Sequence, residues 1–251
     1  MARPLIEVDG VSKTFSIPSV RRETVREHLF GLLEPSRVEQ LIVLNNVSFE
    51  LRAGETFGIM GRNGCGKSTL LKILCGIYTA NSGAVRVHAG ITPILELGVG
   101  WNPELDAVDN VFLIGAVMGL SLRAVNANLT RILEFAEVER FARLKLKHYS
   151  SGMASRLAYA IAFHAVREVL VLDEIFAVGD AGFKAKCEDR YAVLREAGHS
   201  VIMVSHDPRT VERFCDRAIL LEGGQVVTEG SGAQVAAGYQ TLMLSRGAKP
   251  L

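Results

Sequence analysis

The sequence predicts an α/β fold, a core with an antiparallel β edge and an inserted helical subdomain. Three observations carry that prediction. Short apolar runs at residues 56–60, 169–172 and 201–204 alternate with stretches of helical spacing. A glycine-rich loop joins the first run to the helical pattern that follows it, where Leu70, Leu71, Ile73 and Leu74 recur on one face. From 102 to 147 the pattern is helical, with Val111, Ile114, Gly115 and Met118 followed by Leu129, Ile132, Leu133 and Ala136. That run without strand signals is read as a helical lobe set into the α/β core.

The elements follow in order. Residues 5–8 alternate like a strand, and 11–15 continue the sheet edge, ending at the aromatic Phe15. Phe15 is either a core residue or a ring on which a base stacks. Residues 16–41 are expected to form an insertion. Within it Val25, Leu29, Leu32 and Leu33 fall on one helical face, and Arg21, Arg22, Glu23, Arg26 and Glu27 lie on the other. Such an amphipathic helix packs on its own domain or meets a membrane or partner helix. Alternation resumes at 43–44 and 47–51. Beyond the glycine-rich loop, Ser82-Gly83 makes a turn, 85–87 a strand and 91–97 another apolar stretch. Residues 149–164 open as a polar loop and continue as a helix, and 183–196 form a further helix. Gly223-Gly224 between 218–221 and 225–228 reads as a hairpin, and a short helix over 233–244 follows. The expected domains are a first core part over 1–95, the helical subdomain over 96–164 and a second core part over 165–251.

The loop between strand and helix reads GRNGCGKST. Gly61, Gly66, Lys67 and Ser68 occupy the fixed places of G-x-x-x-x-G-K-[ST], with Asn63, Gly64, Cys65 and Thr69 completing it. Glycines let backbone N–H groups turn inward around a polyphosphate, and the helix N-terminus adds partial positive charge. Lys67 is expected to reach terminal phosphates as a point charge and Ser68 to offer its hydroxyl to Mg²⁺. The chain is therefore expected to bind a nucleoside triphosphate.

Composition limits what else the chain does. A net charge of +1 over 251 residues argues against a general binder of nucleic acid or anionic membranes. Cys65, Cys75, Cys187 and Cys215 lack C-x-x-C spacing, so neither a zinc site nor a redox motif is indicated. The opening residues have no apolar signal region, and the apolar stretch 108–120 is broken by Asp109 and Asn110 and too short to span a bilayer. Action at a membrane is expected from the water side.

Further motifs stand downstream. Ser150-Ser151-Gly152-Met153 opens a helix, which alone signals only a cap. The apolar run at 169–172 ends in Asp173-Glu174, an acid placed to hold Mg²⁺ beside one placed to polarise water. Val178-Gly179-Asp180 precedes a helix. The run at 201–204 ends in Ser205-His206, at the sheet edge where α/β ligands sit.

In that order these motifs resemble the nucleotide-binding subunit of ABC transporters over essentially the whole chain. Gly61 to Thr69 match its Walker A loop, Asp173 its Walker B acid, Glu174 its catalytic glutamate, Asp180 its D-loop and His206 its switch histidine. Ser151 and Gly152 stand in its signature motif, here YSSGM. That variant, the DEIFAVGDAGFKAKC stretch and the inserted helix are similar to the ATPases that energise bacterial surface-polysaccharide export. Some members of that branch carry a C-terminal carbohydrate-binding domain, and from the length to Leu251 none is expected here.

The resemblance implies ATP and Mg²⁺ as cofactors and a head-to-tail homodimer closing on two ATP molecules. It also implies a separate integral-membrane permease, through which a lipid-linked glycan is reached, and a place at the cytoplasmic face of the inner membrane. The residues implied in catalysis are Glu174, His206 and Lys67, with Phe15 at the adenine. The family's bridging glutamine is missing, since no glutamine lies between Leu41 and Gly224. Glu96 stands near that place and is expected to reach the metal through water. Competing readings are another ABC transporter ATPase, or a soluble ABC-type ATPase without a permease. A P-loop kinase or GTPase leaves the Ser-Ser-Gly and Ser-His segments unexplained.

Overall fold

The computed structural model describes residues 3–18, 38–94, 100–173 and 180–247. The first half runs β1 (Ile6–Pro18), β2 (Val38–Leu51), β3 (Thr56–Gly61), α1 (Lys67–Leu74), β4 (Ser82–Val87) and β5 (Ile91–Ile94). Three helices follow, α2 (Ala107–Val117), α3 (Leu122–Ala136) and α4 (Ser151–His164), with two 3₁₀ turns between the last two. The second half continues β6 (Val169–Asp173), α5 (Ala181–Glu196), β7 (Ser200–Ser205) and α6 (Pro208–Phe214). It ends with β8 (Arg217–Glu222), β9 (Gln225–Gly230) and α7 (Gly232–Gly247).

Two sheets result. The smaller is antiparallel in the order β2-β1-β4, and the larger runs β5-β6-β7-β3-β8-β9. In the larger sheet only β8 and β9 pair antiparallel. Its central strands are buried on both faces, which explains why they read as unbroken apolar runs rather than alternating ones. Phe57, Ile59, Val169, Val171, Ile202 and Val204 face the antiparallel sheet and α1. Met60, Leu170, Leu172, Val201 and Met203 face the opposite core, built with Tyr159, Phe163, Phe183 and Tyr191. A third core belongs to the lobe, where Val111, Ile114, Val125 and Ile132 pack on Leu157 and Ile161.

Helix α4 therefore belongs to both bodies. Leu157, Ala160 and Ile161 face the lobe, while Tyr159, Ala162 and Phe163 face the sheet. Asn110, which interrupts the longest apolar stretch of the sequence, is fully buried in the lobe. Its amide donates to the carbonyls of Asn102, Leu105 and Asp106 and its oxygen accepts from the Asn102 N–H. It replaces solvent for the loop that enters α2, as a buried polar group must.

Three features differ from sequence expectation. Strand structure enters both ends of the expected 16–41 insertion, because Ser16 pairs with Gln40, Ile17 with Glu39 and Pro18 with Val38. This ladder satisfies backbone groups that a loop would leave to water. The helical face of Val25, Leu29, Leu32 and Leu33 lies outside the described residues. Helix α6 was not anticipated, although Asp207-Pro208 is a cap followed by proline at the first helical position. The glycine pair was read correctly: Gly223 and Gly224 both have positive φ, 54° and 78°, in the two-residue loop joining β8 to β9.

Candidate nucleotide site

The site grows from the carboxyl end of β3. That strand lies between β7 and β8, so the loop leaving it emerges at mid-sheet. Gly61 closes the strand, and a Cβ there would stand 2.4 Å from the Leu221 carbonyl oxygen. Gly66, at φ 108°, is the N-cap of α1. A Cβ on it would meet the Val43 carbonyl at 2.7 Å and Leu44 at 2.8 Å, so glycine is required twice over, by conformation and by space. Val43 and Leu44 belong to β2, so the antiparallel sheet closes one side of the loop.

Lys67 is buried, 7% exposed, and its Nζ donates to the carbonyls of Gly61 at 2.7 Å and Arg62 at 2.9 Å. The loop thus wraps its own lysine and holds the ammonium inside the turn. Arg62, Asn63 and Gly64 are exposed, as is Ser68 on the first turn of α1, while Thr69 is half-buried. Cys65 is buried under the loop, and that burial pushes its thiol up from the ordinary range. The fit to a polyphosphate rests on this geometry: a cradle that requires glycine at 61 and 66, an ammonium at its centre and a hydroxyl at the helix start.

Parallel pairing brings two more groups to the same edge. Met60 lies opposite Ser205, and Val204 opposite Asp173. Asp173 ends β6 and His206 follows β7, so both stand at the edge from which the glycine loop leaves. At strand spacing, Asp173 is two strands or roughly 10 Å from the line of β3. Asp173 is half-buried and His206 exposed. Glu174 and Glu96 lie outside the described residues.

Phe15 lies at the other end of α1. Its half-buried ring meets Tyr78 edge-on at 5.7 Å, and the Lys13 ammonium lies 5.0 Å from the Phe15 centroid and 5.9 Å from that of Tyr78. Lys13 also donates to the Thr79 carbonyl at 2.8 Å. Helix α1 is about 12 Å long, so it separates an aromatic pair from a phosphate-type loop. Tyr78 was not singled out from sequence; an aromatic just past the end of the loop's helix is the signal that would have found it.

The remaining candidates stand on a different surface. Ser151 and Gly152 are exposed on the first turn of α4, whose N-cap Ser150 accepts from the Met153 N–H at 3.2 Å. Asp180 is the N-cap of α5 and accepts from Phe183 N–H at 2.9 Å. That bond, more than the nearby Arg156, holds its carboxyl below the usual carboxylate range. Within one chain Asp180 is tied to α4 through Arg156 at 2.5 Å.

The family model described as ABC transporter matches residues 44–177, from within β2 to just beyond β6. The chain belongs to the ABC transporter family. It is 37% identical to the ABC transporter protein AbcA of Aeromonas salmonicida, over 98% of this chain and 79% of that protein. It is 31% identical to an O-antigen export system ATP-binding protein, RfbB of Klebsiella pneumoniae, over 96% of this chain and 99% of that protein. Among solved structures, a dimeric ATP-binding cassette in a post-hydrolysis state with ADP and Pi superposes with a TM-score of 0.73 at 25% identity, covering 90% of this chain and 98% of that one. The chain is thus a nucleotide-binding ABC subunit and an ATPase. Among the described residues of this ABC ATPase, no helix is long and apolar enough to cross a membrane.

Proposed function

We propose that this ABC ATPase powers export of a lipid-linked surface polysaccharide, of O-antigen, teichoic-acid or galactan type, across the cytoplasmic membrane. The observation that carries the reading is full-length similarity to an O-antigen export ATP-binding protein, 96% of one chain on 99% of the other. Lys67 and the loop N–H groups bind the terminal phosphates, and Phe15 with Tyr78 offers the adenine an aromatic wall. Ser68 and Asp173 would hold Mg²⁺, which prefers few protein ligands and several waters, and Glu96 would reach it through water. When bound, the metal neutralises charge developing on the phosphates. Glu174 polarises the attacking water and His206 holds the terminal phosphate in line.

Two copies act together in this reading. Ser151, Gly152 and Asp180 of a second copy complete the cage, so turnover requires closure of a head-to-tail homodimer. The movement is passed to a separate integral-membrane permease, which keeps the subunit peripheral at the cytoplasmic face. The Glu96 region and the lobe supply the contact, and nucleic acid has no part in it.

The test is co-expression with the membrane-spanning protein encoded beside this one. Co-purification and stimulated ATP turnover, weakened by Leu29→Glu without loss of ATP binding, is the expected result. Steady turnover of the chain alone with no membrane partner would favour a soluble ATPase.

A further inference from the structure

We infer that Arg156 is a positioning residue that fixes the Asp180 turn to the Ser151–Gly152 helix start, so that both reach a second chain's nucleotide as one rigid unit. The inference rests on the two-chain reading above. Arg156 lies on α4, five residues beyond Ser151. One arm of its guanidinium donates to Asp180 Oδ2 at 2.5 Å and the other to Glu137 Oε2. Its face lies 5.2 Å from the centroid of Phe183, whose own N–H donates to the second oxygen of Asp180. Glu137 is the C-cap of α3, in the left-handed region at φ 59°, and its other oxygen accepts from Lys186 of α5 at 2.5 Å. One planar cation thus joins the end of α3, the start of α4 and the start of α5.

The arrangement is poorly suited to stabilising the fold. The Arg156 side chain is 20% exposed, but Glu137 is 46% and Asp180 65% exposed, and ion pairs with such open partners add little to stability. What a guanidinium supplies here is geometry. Its fork satisfies two carboxylates from different elements at once, which a lysine ammonium on a flexible stem does not. Phe183, the ring it faces, lies 5.6 Å from Phe135 between centroids, and Phe135 lies 5.8 Å from Phe163, so the clamp adjoins an aromatic cluster shared by lobe and core.

The experiment compares the full chain with Arg156→Met, Arg156→Lys and Glu137→Gln. Four quantities are read: thermal midpoint, binding of a fluorescent ATP analogue to the single chain, ATP-dependent dimerisation and kcat. Arg156→Met is expected to keep its thermal midpoint and analogue affinity, but to dimerise weakly and lose about ten- to a hundred-fold in kcat, as misplacement of a reacting constellation does. Arg156→Lys should fall between, because one ammonium holds one carboxylate at a time. Wild-type dimerisation and kcat in Arg156→Met would overturn the inference, as would loss of analogue binding in proportion to kcat. If Arg156→Met fails to fold, Glu137→Gln decides: a several-fold lower kcat with unchanged analogue binding supports the clamp, and unchanged kcat overturns it. A wild-type chain that never dimerises on ATP would overturn the two-chain reading itself, a result visible before any variant is made.

Discussion

At the scale of single residues, the phosphate loop shows how sterics select chemistry. Gly66 cannot carry a side chain because β2 approaches from outside and the backbone turns left-handed there. Lys67 is held inward by two carbonyls of its own loop, so the charge is in place before a ligand arrives. The Lys67 bonds lie within a short contiguous stretch, whereas the crowding at Gly61 and Gly66 comes from Leu221 and from Val43 and Leu44 of distant strands. Glu174 is assigned from its place after Asp173 alone. Glu174→Gln is expected to keep ATP binding, lose about 10²- to 10⁴-fold in turnover and accumulate the closed dimer. Single-turnover kinetics with gel filtration in ATP check this; unchanged turnover would remove Glu174 from the role.

At the scale of elements, the lobe rests on a polar residue inside an apolar core. Asn110 makes four hydrogen bonds to the loop at 102–106. Asn110→Ala would leave those backbone groups unpaired beneath the lobe. A loss of about 1–3 kcal/mol is expected, read by denaturant unfolding, with ATP binding at the separate core site retained. A loss below the error of the measurement would show that water enters in its place. From sequence Asn110 served only as an interruption, because a residue's partners across a turn are not written in its own periodicity. Strand length was misjudged at the insertion for a related reason. The pairing of Ser16 with Gln40 joins residues separated by more than twenty positions.

At the scale of the whole molecule, the lobe presents unpartnered apolar side chains at the turn between α2 and α3. Val117 is 73% and Leu122 68% exposed. Single exposed residues are ordinary, but two flanking one turn make a patch suited to a partner. Leu122→Glu is expected to leave the chain's own ATP turnover unchanged and to weaken permease-stimulated turnover, measured in the co-purified complex. Equal stimulation would place the contact elsewhere, and the segment around Arg21–Glu34 would then be the one to vary.

The sequence by itself marked the glycine-rich loop, the buried apolar runs and most of the helices, though not α6, because those signals are local. Glycine placement, apolar runs and cap residues act over a few positions. Only the tertiary structure decided what these parts do together. Parallel pairing of β6, β7 and β3 brings Asp173 and His206 to the edge of the loop, the end of α1 carries Tyr78 to Phe15, and packing of α4 against α5 puts Arg156 within reach of Asp180. Each contact joins distant parts of the chain, and such contacts are set by the packing of elements that periodicity describes only one at a time.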